Sequence, residues 1–261
     1  MQAYQTVLFE QGQDHVATLT LNRPEQMNSF NMRMMEEIKS IWHRIQADDS
    51  IHAVVLRASE GRAFCPGVDV REHRPPPNNV WLQQDPGYYL CPKLNECWKP
   101  VVTAVHGMCA GGAFYLINES DIVICSEDAT FFDPHVTYGM TSALEPTGMT
   151  YRQPLGEVLR MALLGNDERV GAATALRTGI VSEITSREAL WGRAHELAAK
   201  IAAKPSVATQ GTVRAIWESL DVPRTVAQRT GLKYCQIGNA IGIPQVDRST
   251  LMRAAKEFVT R

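Results

Sequence analysis

Residues 106–139 constrain the fold of this chain more than any other stretch, because they show in order a strand end, a glycine turn, a helix, a second apolar strand and a loop carrying a histidine. Residues 110–113, Ala-Gly-Gly-Ala, have no side chain larger than a methyl group, so another molecule can approach their backbone closely. The helix that follows leaves its first amide groups without internal partners. The stretch therefore predicts an α/β unit with a backbone site for an oxyanion.

The overall composition limits the classes of partner. The 261 residues are 44% hydrophobic and 21% charged, with a formal net charge of -2. This balance gives no broad basic surface for the phosphates of DNA or RNA, so we expect no nucleic-acid partner. The N-terminal residues lack a signal-peptide pattern and no apolar run reaches about eighteen residues, so we expect a cytoplasmic protein with no membrane partner.

Cysteine spacing and short motifs argue against several kinds of site. The six cysteines include no CxxC pair, so we expect free thiols in a reducing compartment and no metal site. The chain has no GxGxxG and no GxxxxGK[ST], so neither NAD nor ATP is expected. A serine hydrolase is disfavoured because no GxSxG turn is present.

Apolar periodicity predicts most of the first half of the fold. Residues 6–10 and 16–21 flank a polar Gln-Gly-Gln-Asp segment and predict a hairpin. Apolar residues at helical spacing follow Asn31, which is the expected N-cap. Residues 53–56 and 101–105 predict buried strands. The order strand, turn, helix, strand favours parallel pairing with right-handed crossovers.

The remaining patterns predict one surface loop and a helical C-terminal region. Residues 74–86 include three consecutive prolines and are expected to form a loop beside the site, as a lid or wall for substrate. Helices are predicted at 158–164 and at 168–178, where Gly179 ends the second. After residue 186, prolines separate four further predicted helices: 187–204, 206–220, 224–238 and 245–260.

Residues 65–69 form a second small-residue loop after a predicted strand, comparable to residues 110–113. Each loop could offer one backbone amide to the same oxygen atom, which would stabilise an oxyanion or enolate by about 3 kcal/mol per donor. The alternative is that the glycines only permit tight turns. Spacing alone leaves these two interpretations open.

Three segments together carry a resemblance to a known family. They are Asn-Arg-Pro at residues 22–24 followed by Asn28, AFCPGVDVRE at 63–72, and the stretch 106–139. In order and spacing they are similar to the crotonase superfamily, the enoyl-CoA hydratase and isomerase fold. The resemblance implies an α/β fold built as a spiral of β-β-α repeats over residues 1–195, and a helical trimerisation region over residues 196–261.

The resemblance also implies the ligand, the assembly and the binding residues. The substrate would be an acyl-CoA thioester, no cofactor would be needed beyond its CoA moiety, and the assembly would be a homotrimer or a dimer of trimers. The amides of Val68 and Gly112 would hold the thioester oxygen. The CoA groove would be lined by Gln26, Met27, Ala63, Cys65, Gly67, Asp69, Arg71, Gly111 and Pro134. For Arg71 a solvated surface position is the alternative to a CoA phosphate contact.

The chain departs from the family pattern at two positions. Hydratases of the family carry a pair of glutamates that hold and deprotonate water, and here those positions are Tyr115 and His135. Glu145 lies close to where family isomerases carry an acid, and we rank it first as the catalytic carboxylate. His135 is the expected acid or base partner because imidazole titrates near neutrality. Tyr115 would shape or polarise the pocket.

Each of these residues also has a structural alternative. His135 could be a hydrogen-bonded loop residue, Glu145 could cap a helix, and Tyr115 could be a pocket wall. Glu119 and Asp121, on the same helix and at its exit, are expected to be solvated or to form a salt bridge between subunits. The predicted function is an enoyl-CoA hydratase or isomerase with an enolate-like intermediate. The alternatives are a β-keto acyl-CoA hydrolase of the same fold and a non-catalytic acyl-CoA-binding protein.

Overall fold

Strands of the computed structural model form two sheets, and the structure describes residues 4–72, 79, 81, 85–249 and 260. The strands are β1 (Val7–Gln11), β2 (Val16–Leu21), β3 (Ala53–Ala58), β4 (Ala63–Cys65), β5 (Val101–Val105), β6 (Met108–Ala110), β7 (Ile122–Ser126), β8 (Thr130–Phe132), β9 (Val170–Gly171) and β10 (Glu183–Thr185). The larger sheet has the order β1-β2-β3-β5-β7-β10 and the smaller sheet β4-β6-β8-β9.

The strands from β3 to β8 alternate between the two sheets. β3, β5 and β7 lie side by side in the larger sheet and are parallel. Their successors β4, β6 and β8 lie side by side in the smaller sheet and are parallel too. The predicted parallel pairing is therefore confirmed, as is the hairpin, because β1 pairs antiparallel with β2. Each repeat thus turns from one sheet into the other.

The helices are α1 (Met32–Ala47), α2 (Phe114–Asn118), α3 (Leu144–Met149), α4 (Leu155–Leu164), α5 (Ala172–Thr178), α6 (Leu190–Ala202), α7 (Ser206–Glu218) and α8 (Arg224–Gly242). α1 begins as predicted, since Asn31 Oδ1 accepts a hydrogen bond of 2.9 Å from the amide of Met34. α5 begins four residues later than predicted, because β9 takes up residues 170–171.

Two apolar layers cover the faces of the larger sheet. On one face α1 contributes Met34, Ile38, Ile41, Trp42 and Ile45, all fully buried, because its apolar residues recur at helical spacing. On the other face α6 packs its small apolar residues onto the sheet. The first compact unit includes α6 and ends at residue 203, and the functional division after residue 195 stays a prediction.

The second compact unit comprises residues 204–261 and is helical where it is described. Its long helices α7 and α8 pack on each other and keep apolar side chains exposed, including Ile216, Leu232, Ile237 and Ile241. Most of the helix predicted at 245–260 lies outside the described residues. Assembly as a homotrimer stays a prediction. Within the described part of the chain, no helix is both long and apolar enough to span a membrane.

Candidate active site

A cavity of about 350 Å³ opens in the first unit, where the loop after β4, the start of α2 and residues 135–145 meet. Its apolar wall includes Phe30, Met32, Met35 and Leu144. Its other wall carries glycine backbone and several titratable side chains. The predicted residues Val68, Gly112, Tyr115, His135 and Glu145 all line this one cavity.

The loop after β4 presents Val68 to the cavity through its pairing with Phe30. The amide of Phe30 donates to Gly67 O at 3.0 Å, and the amide of Asp69 donates to Phe30 O at 2.8 Å. Phe30 lies opposite Val68 in a parallel bridge, and it bonds to the residues before and after Val68 rather than to Val68 itself. The amide of Val68 therefore points away from Phe30. Val68 is 42% exposed and its free side faces the cavity.

Gly112 brings a second amide close to the first. It is the second residue of the short 3₁₀ turn Gly111–Ala113, where the amide has no carbonyl one turn earlier to bond. Gly67 has φ +101°, and a Cβ there would lie 3.2 Å from Gly112 N. A side chain at Gly112 itself would meet the Phe30 ring at 2.5 Å. Glycine at position 67 therefore lets the two loops approach closely, and glycine at position 112 leaves room for the Phe30 ring.

A buried asparagine fixes the loop that supports this wall. Asn28 is fully buried, and its Nδ2 donates to Ser59 O at 3.2 Å and to Ala63 O at 3.0 Å. Its Oδ1 accepts the amide of Arg23 at 3.1 Å. The Asn28 side chain therefore satisfies backbone groups of two segments at once, which ties the loop at residues 22–28 to β4.

Asp133 orients His135. The carboxylate of Asp133 is fully buried, and its Oδ1 accepts from His135 Nδ1 at 2.5 Å and from the His135 amide at 3.0 Å. Ser142 Oγ donates to the other oxygen at 2.6 Å. Burial opposes the charged form, but these hydrogen bonds prevail and lower the pKa of Asp133. Since Nδ1 is engaged, the Nε2 atom of His135 is the one left to face the cavity.

Glu145 faces that nitrogen. It lies in the first turn of α3 and is 6% exposed, and its Oε1 is 3.7 Å from His135 Nε2. Burial raises the pKa of Glu145. The hydrogen bond to Asp133 raises the pKa of His135 and outweighs the effect of its own burial. A separation of 3.7 Å is too long for a hydrogen bond, so both atoms can still bind a third polar atom.

Tyr115 has a partner that the sequence did not indicate. Its hydroxyl donates to Asp85 Oδ2 at 2.6 Å, and Asp85 also lines the cavity. Burial, followed by the hydrogen bond to Asp85, raises the pKa of Tyr115 well above its usual value. Tyr115 is therefore a neutral phenol whose one proton is held by a carboxylate.

The residues predicted for the CoA groove are exposed, buried in the core or close to the cavity. Gln26, Met27 and Arg71 are exposed. The side chains of Ala63 and Cys65 are fully buried in the core, and burial raises the pKa of the Cys65 thiol to about 12. Because the side chains of Ala63 and Cys65 are buried, only their backbone could face a ligand.

The other predicted groove residues lie closer to the cavity. Asp69 lines it, and its carboxylate pairs with Arg23 Nη2 at 2.9 Å. A Cβ at Gly111 would lie 3.4 Å from Pro134 Cδ, which brings these two predicted residues together beside His135. Gly67, Gly111 and Pro134 thus surround the two amides.

Sequence reasoning did not single out Asp85, Asp133, Ser142 or Phe30 for the site. Asp133 was detectable in principle, because a carboxylate two residues before a histidine can accept from its ring. Asp85 followed by proline has the pattern of a helix N-cap, and its side chain does accept the Gly87 amide at 3.0 Å. Nothing in the sequence connects Asp85 to Tyr115, which is thirty residues away.

Ligand atoms of Asp133, His135 and Glu145 lie within 4.8 Å of one another, so among the described residues these three could approach a metal ion together. Asp133 Oδ1 is already bonded to His135 Nδ1. Asp133 Oδ2 accepts from Ser142 Oγ, so both carboxylate oxygens of Asp133 already accept hydrogen bonds.

The fold and the site define a class of protein that other structures share. The crystal structure of an enoyl-CoA hydratase/isomerase from Mycobacterium paratuberculosis superposes with a TM-score of 0.87 and 32% identity, covering 99% of this chain and 100% of that one. A family model described as enoyl-CoA hydratase/isomerase matches residues 11–236. The chain belongs to the enoyl-CoA hydratase/isomerase family, whose members are acyl-CoA-processing enzymes.

Two curated relatives have more specific names. The (E)-benzylidenesuccinyl-CoA hydratase of Thauera aromatica is 32% identical over 214 residues, which cover 80% of this chain and 82% of the relative. The mitochondrial Delta(3,5)-Delta(2,4)-dienoyl-CoA isomerase of Rattus norvegicus is 30% identical over 231 residues, which cover 80% of this chain and 68% of the relative. Relatives at this level of similarity thus include a hydratase and an isomerase.

Proposed function

We propose that the protein shifts the double bond of an unsaturated acyl-CoA thioester through an enolate intermediate. The observation that carries this proposal is that Glu145 and His135 line the same cavity as Val68 and Gly112. Two backbone amides stabilise negative charge on an oxygen, and a neighbouring acid-base pair moves a proton. Isomerisation requires these groups and no cofactor beyond the CoA moiety of the substrate.

The amides of Val68 and Gly112 would bind the thioester oxygen. When a proton leaves the α-carbon, the electron pair moves onto that oxygen, and each amide donor contributes about 3 kcal/mol to the transition state in sites of this type. The close approach of the two loops at Gly67 and Gly112 supports this role. A side chain at Gly67 would lie 3.2 Å from Gly112 N and would push the two loops apart.

Glu145 would take the proton from the α-carbon. Its pKa is raised by burial, which makes it a stronger base than a surface carboxylate while it remains ionised. Protonation at the γ-carbon by Glu145 or by the neighbouring His135 then gives the conjugated 2-enoyl thioester. Asp133 keeps the His135 ring turned so that Nε2 faces Glu145.

The acyl group would lie against the apolar wall formed by Phe30, Met32, Met35 and Leu144. One aromatic, two thioether and one aliphatic side chain accept either a ring or a branched chain, because methionine adapts its shape to the ligand. The Thauera relative, named for a benzylidene substrate, supports inclusion of ring-bearing thioesters in the assays.

The test is a panel of thioesters offered to the purified protein: 3-enoyl-CoA, 2-enoyl-CoA and β-keto acyl-CoA, each with straight and ring-bearing acyl groups. We expect 3-enoyl substrates to be converted into conjugated 2-enoyl thioesters, measured by the absorbance of the conjugated product. Release of free CoA from the β-keto substrates alone would identify a hydrolase. Tight binding with no turnover on any substrate would identify a non-catalytic acyl-CoA-binding protein.

A binding experiment tests the two amides separately. An S-alkyl-CoA thioether that lacks the carbonyl oxygen should bind weaker than the matching saturated acyl-CoA thioester, by about 10-fold for two hydrogen bonds. Isothermal titration calorimetry measures both affinities. Equal affinities would show that Val68 and Gly112 do not hold the thioester oxygen.

A further inference from the structure

The polar wall of the cavity carries an excess of negative charge. Four carboxylate residues line it: Asp69, Glu72, Asp85 and Glu145. His135 is the one basic side chain among the described lining residues. Arg23 Nη2 compensates two of the four, since it lies 2.9 Å from Asp69 Oδ2 and 2.7 Å from Glu72 Oε1. In the described part of the chain no lysine or arginine pairs with Asp85, whose oxygens accept from neutral donors only.

Two donors hold the Asp85 carboxylate in place. The Tyr115 hydroxyl donates to Oδ2 at 2.6 Å, and the amide of Gly87 donates to Oδ1 at 3.0 Å. A Cβ at Gly87 would lie 2.4 Å from Tyr115 Cε2, so glycine lets this backbone lie directly against the ring. The position of the Asp85 charge on the wall is therefore fixed.

The Tyr115 ring separates Asp85 from the proposed thioester site. Tyr115 Cδ2 lies 3.7 Å from where a Cβ on Gly112 would be, and the hydroxyl at the far end of the ring bonds to Asp85. Asp85 is thus displaced from Gly112 by the length of a phenol. If the Gly112 amide binds the thioester oxygen, Asp85 faces the end of the acyl group that lies away from the thioester.

The charges of Asp85 and Glu145 act on the same part of the cavity. Burial is the main cause of the raised pKa of Glu145, and the charges of Asp133 and Asp85 add to it. Burial and the hydrogen bond to Asp85 raise the pKa of Tyr115, and the charge of Glu145 adds to that effect. An acyl group in the cavity is therefore exposed to the field of both carboxylates.

The wall beside Asp85 distinguishes between polar groups on a ligand. A phenol that donates its one proton to a carboxylate offers only lone pairs to its other neighbours, and an ionised carboxylate only accepts. Tyr115 and Asp85 together therefore accept hydrogen bonds and donate none to a ligand. A hydroxyl on the acyl group finds an acceptor here. A carboxylate on the acyl group would lose its hydration and meet charge of its own sign.

We propose that Asp85, supported by Tyr115, determines which acyl groups the site accepts: uncharged acyl groups bind, a hydroxyl at the end away from the thioester is favoured, and a second carboxylate there is rejected. The inference rests on the proposed function, because the amides of Val68 and Gly112 must fix the thioester end of the ligand. It names the class of acyl group, which the double-bond chemistry leaves open.

The test uses saturated acyl-CoA thioesters with four, five or six acyl carbons, each ending in a methyl, a hydroxyl or a carboxylate group. Saturated ligands have no double bond to move, and the CoA phosphates are identical in all of them. Affinity ratios from isothermal titration calorimetry therefore report the end of the acyl group alone.

The wild-type protein should bind the carboxylate ligand about 100-fold weaker than the methyl ligand at the chain length that reaches Asp85. This ratio corresponds to two like charges about 6 Å apart at an effective dielectric constant of about 20. The hydroxyl ligand of the same length should bind about fivefold tighter than the methyl ligand, as expected for one hydrogen bond.

Three variants connect the selection to the Asp85 charge. Asp85→Asn removes the charge at constant size, so the carboxylate ligand should bind only about 10-fold weaker than the methyl ligand, whose own affinity should stay within about threefold. Asp85→Glu keeps the charge and should keep most of the wild-type ratio. Glu36→Gln removes a charge at an exposed position on α1 and is the matched control, with ratios equal to those of the wild type.

The other outcomes distinguish this inference from the proposed function. A wild-type protein that binds carboxylate and methyl ligands equally at every length, or a hydroxyl ligand no tighter than the methyl ligand at any length, would overturn the inference. An unchanged ratio in Asp85→Asn would do the same. All three results leave the isomerase proposal standing, because conversion of 3-enoyl-CoA tests it. The expected ratios without isomerisation would overturn the proposed reaction alone, and failure of every thioester to bind would overturn both.

Discussion

Glu145 is a buried carboxylate and Glu119 a partly buried one, and both have raised pKa values in different surroundings. Glu145 lies on the cavity wall with its Oε1 3.7 Å from His135 Nε2. Glu119 lies at the C-terminal end of α2, where its Oε2 accepts the amides of Lys93 at 2.7 Å and Leu94 at 3.1 Å. Burial is the main cause of the raised pKa in both.

The two carboxylates differ in whether they can exchange a proton with a bound substrate. The Glu119 oxygen that is bonded faces backbone amides, which cannot exchange a proton with a substrate. Glu145 faces an imidazole and an open cavity. A raised pKa is therefore no sign of catalysis by itself. Glu119 fixes a loop through two backbone amides, and proton transfer is proposed for Glu145 alone.

The largest expected effect is on turnover. Glu145→Gln should lower kcat for isomerisation by about 10²-fold to 10⁴-fold, because the amide cannot accept the proton. Affinity for a saturated acyl-CoA should stay within about threefold, since shape and hydrogen-bonding size are kept. Glu119→Gln should leave kcat unchanged. Steady-state kinetics and calorimetry measure both quantities, and comparable losses of kcat in the two variants would break the distinction.

The next effect is on stability, and it concerns Glu119. Its pKa is raised from 4.5 to about 7 by burial, so the folded state binds more protons than the unfolded state between these values. Stability from this group is complete below pH 4.5 and is lost as pH rises through about 7. The loss is on the order of 3 kcal/mol.

Glu119→Gln removes that titration and should keep the hydrogen bonds to the Lys93 and Leu94 amides through its carbonyl oxygen. Urea unfolding at pH 5 and pH 8 should therefore show a smaller loss of stability in the variant than in the wild type. Glu36→Gln, at an exposed position on α1, is the control and should behave like the wild type. If the stability of all three proteins depended on pH in the same way, burial would not raise the pKa of Glu119.

Local signals predicted the fold well, because each depends on residues close in sequence. Asn31 caps α1 as expected, and residues 110–113 form the turn at the start of α2. The expectation for Glu119 differs from the structure, since Glu119 is partly buried and bonded to a loop about 25 residues earlier in the chain. A carboxylate at a helix end is normally solvated. Glu119 is instead bonded to the loop at residues 93–94, whose position local sequence patterns do not show.

The chemistry of the site was predictable only where the family pattern applied. Glu145, His135 and Tyr115 were singled out by position, and all three line one cavity. Their partners were not singled out. Asp85 reaches Tyr115 across the fold, which no local pattern shows, whereas Asp133 could have been found from its position two residues before His135. Residues 74–78, 80 and 82–84, part of the loop predicted beside the site, lie outside the described residues.

A smaller effect is expected from the residue that orients His135. Asp133→Asn should lower kcat by about 10-fold to 100-fold, because the imidazole loses the charge that holds its Nδ1 proton and raises its pKa. Ser142→Ala removes only the 2.6 Å hydrogen bond to the second oxygen and should cost less than about fivefold. Equal losses in the two variants would show that the Asp133 charge does not act through His135.

The smallest effect is a displacement of the pH profile. Loss of kcat/KM at low pH should follow protonation of Glu145, with a midpoint above the usual 4.5 because burial raises the pKa of this group. Protonated His135 lowers the pKa of Glu145, so His135→Gln should move the midpoint upward. Glu36→Gln should not move it. A midpoint at or below 4.5, or a downward displacement in His135→Gln, would mean that the base is a group other than Glu145 and would remove the contrast with Glu119.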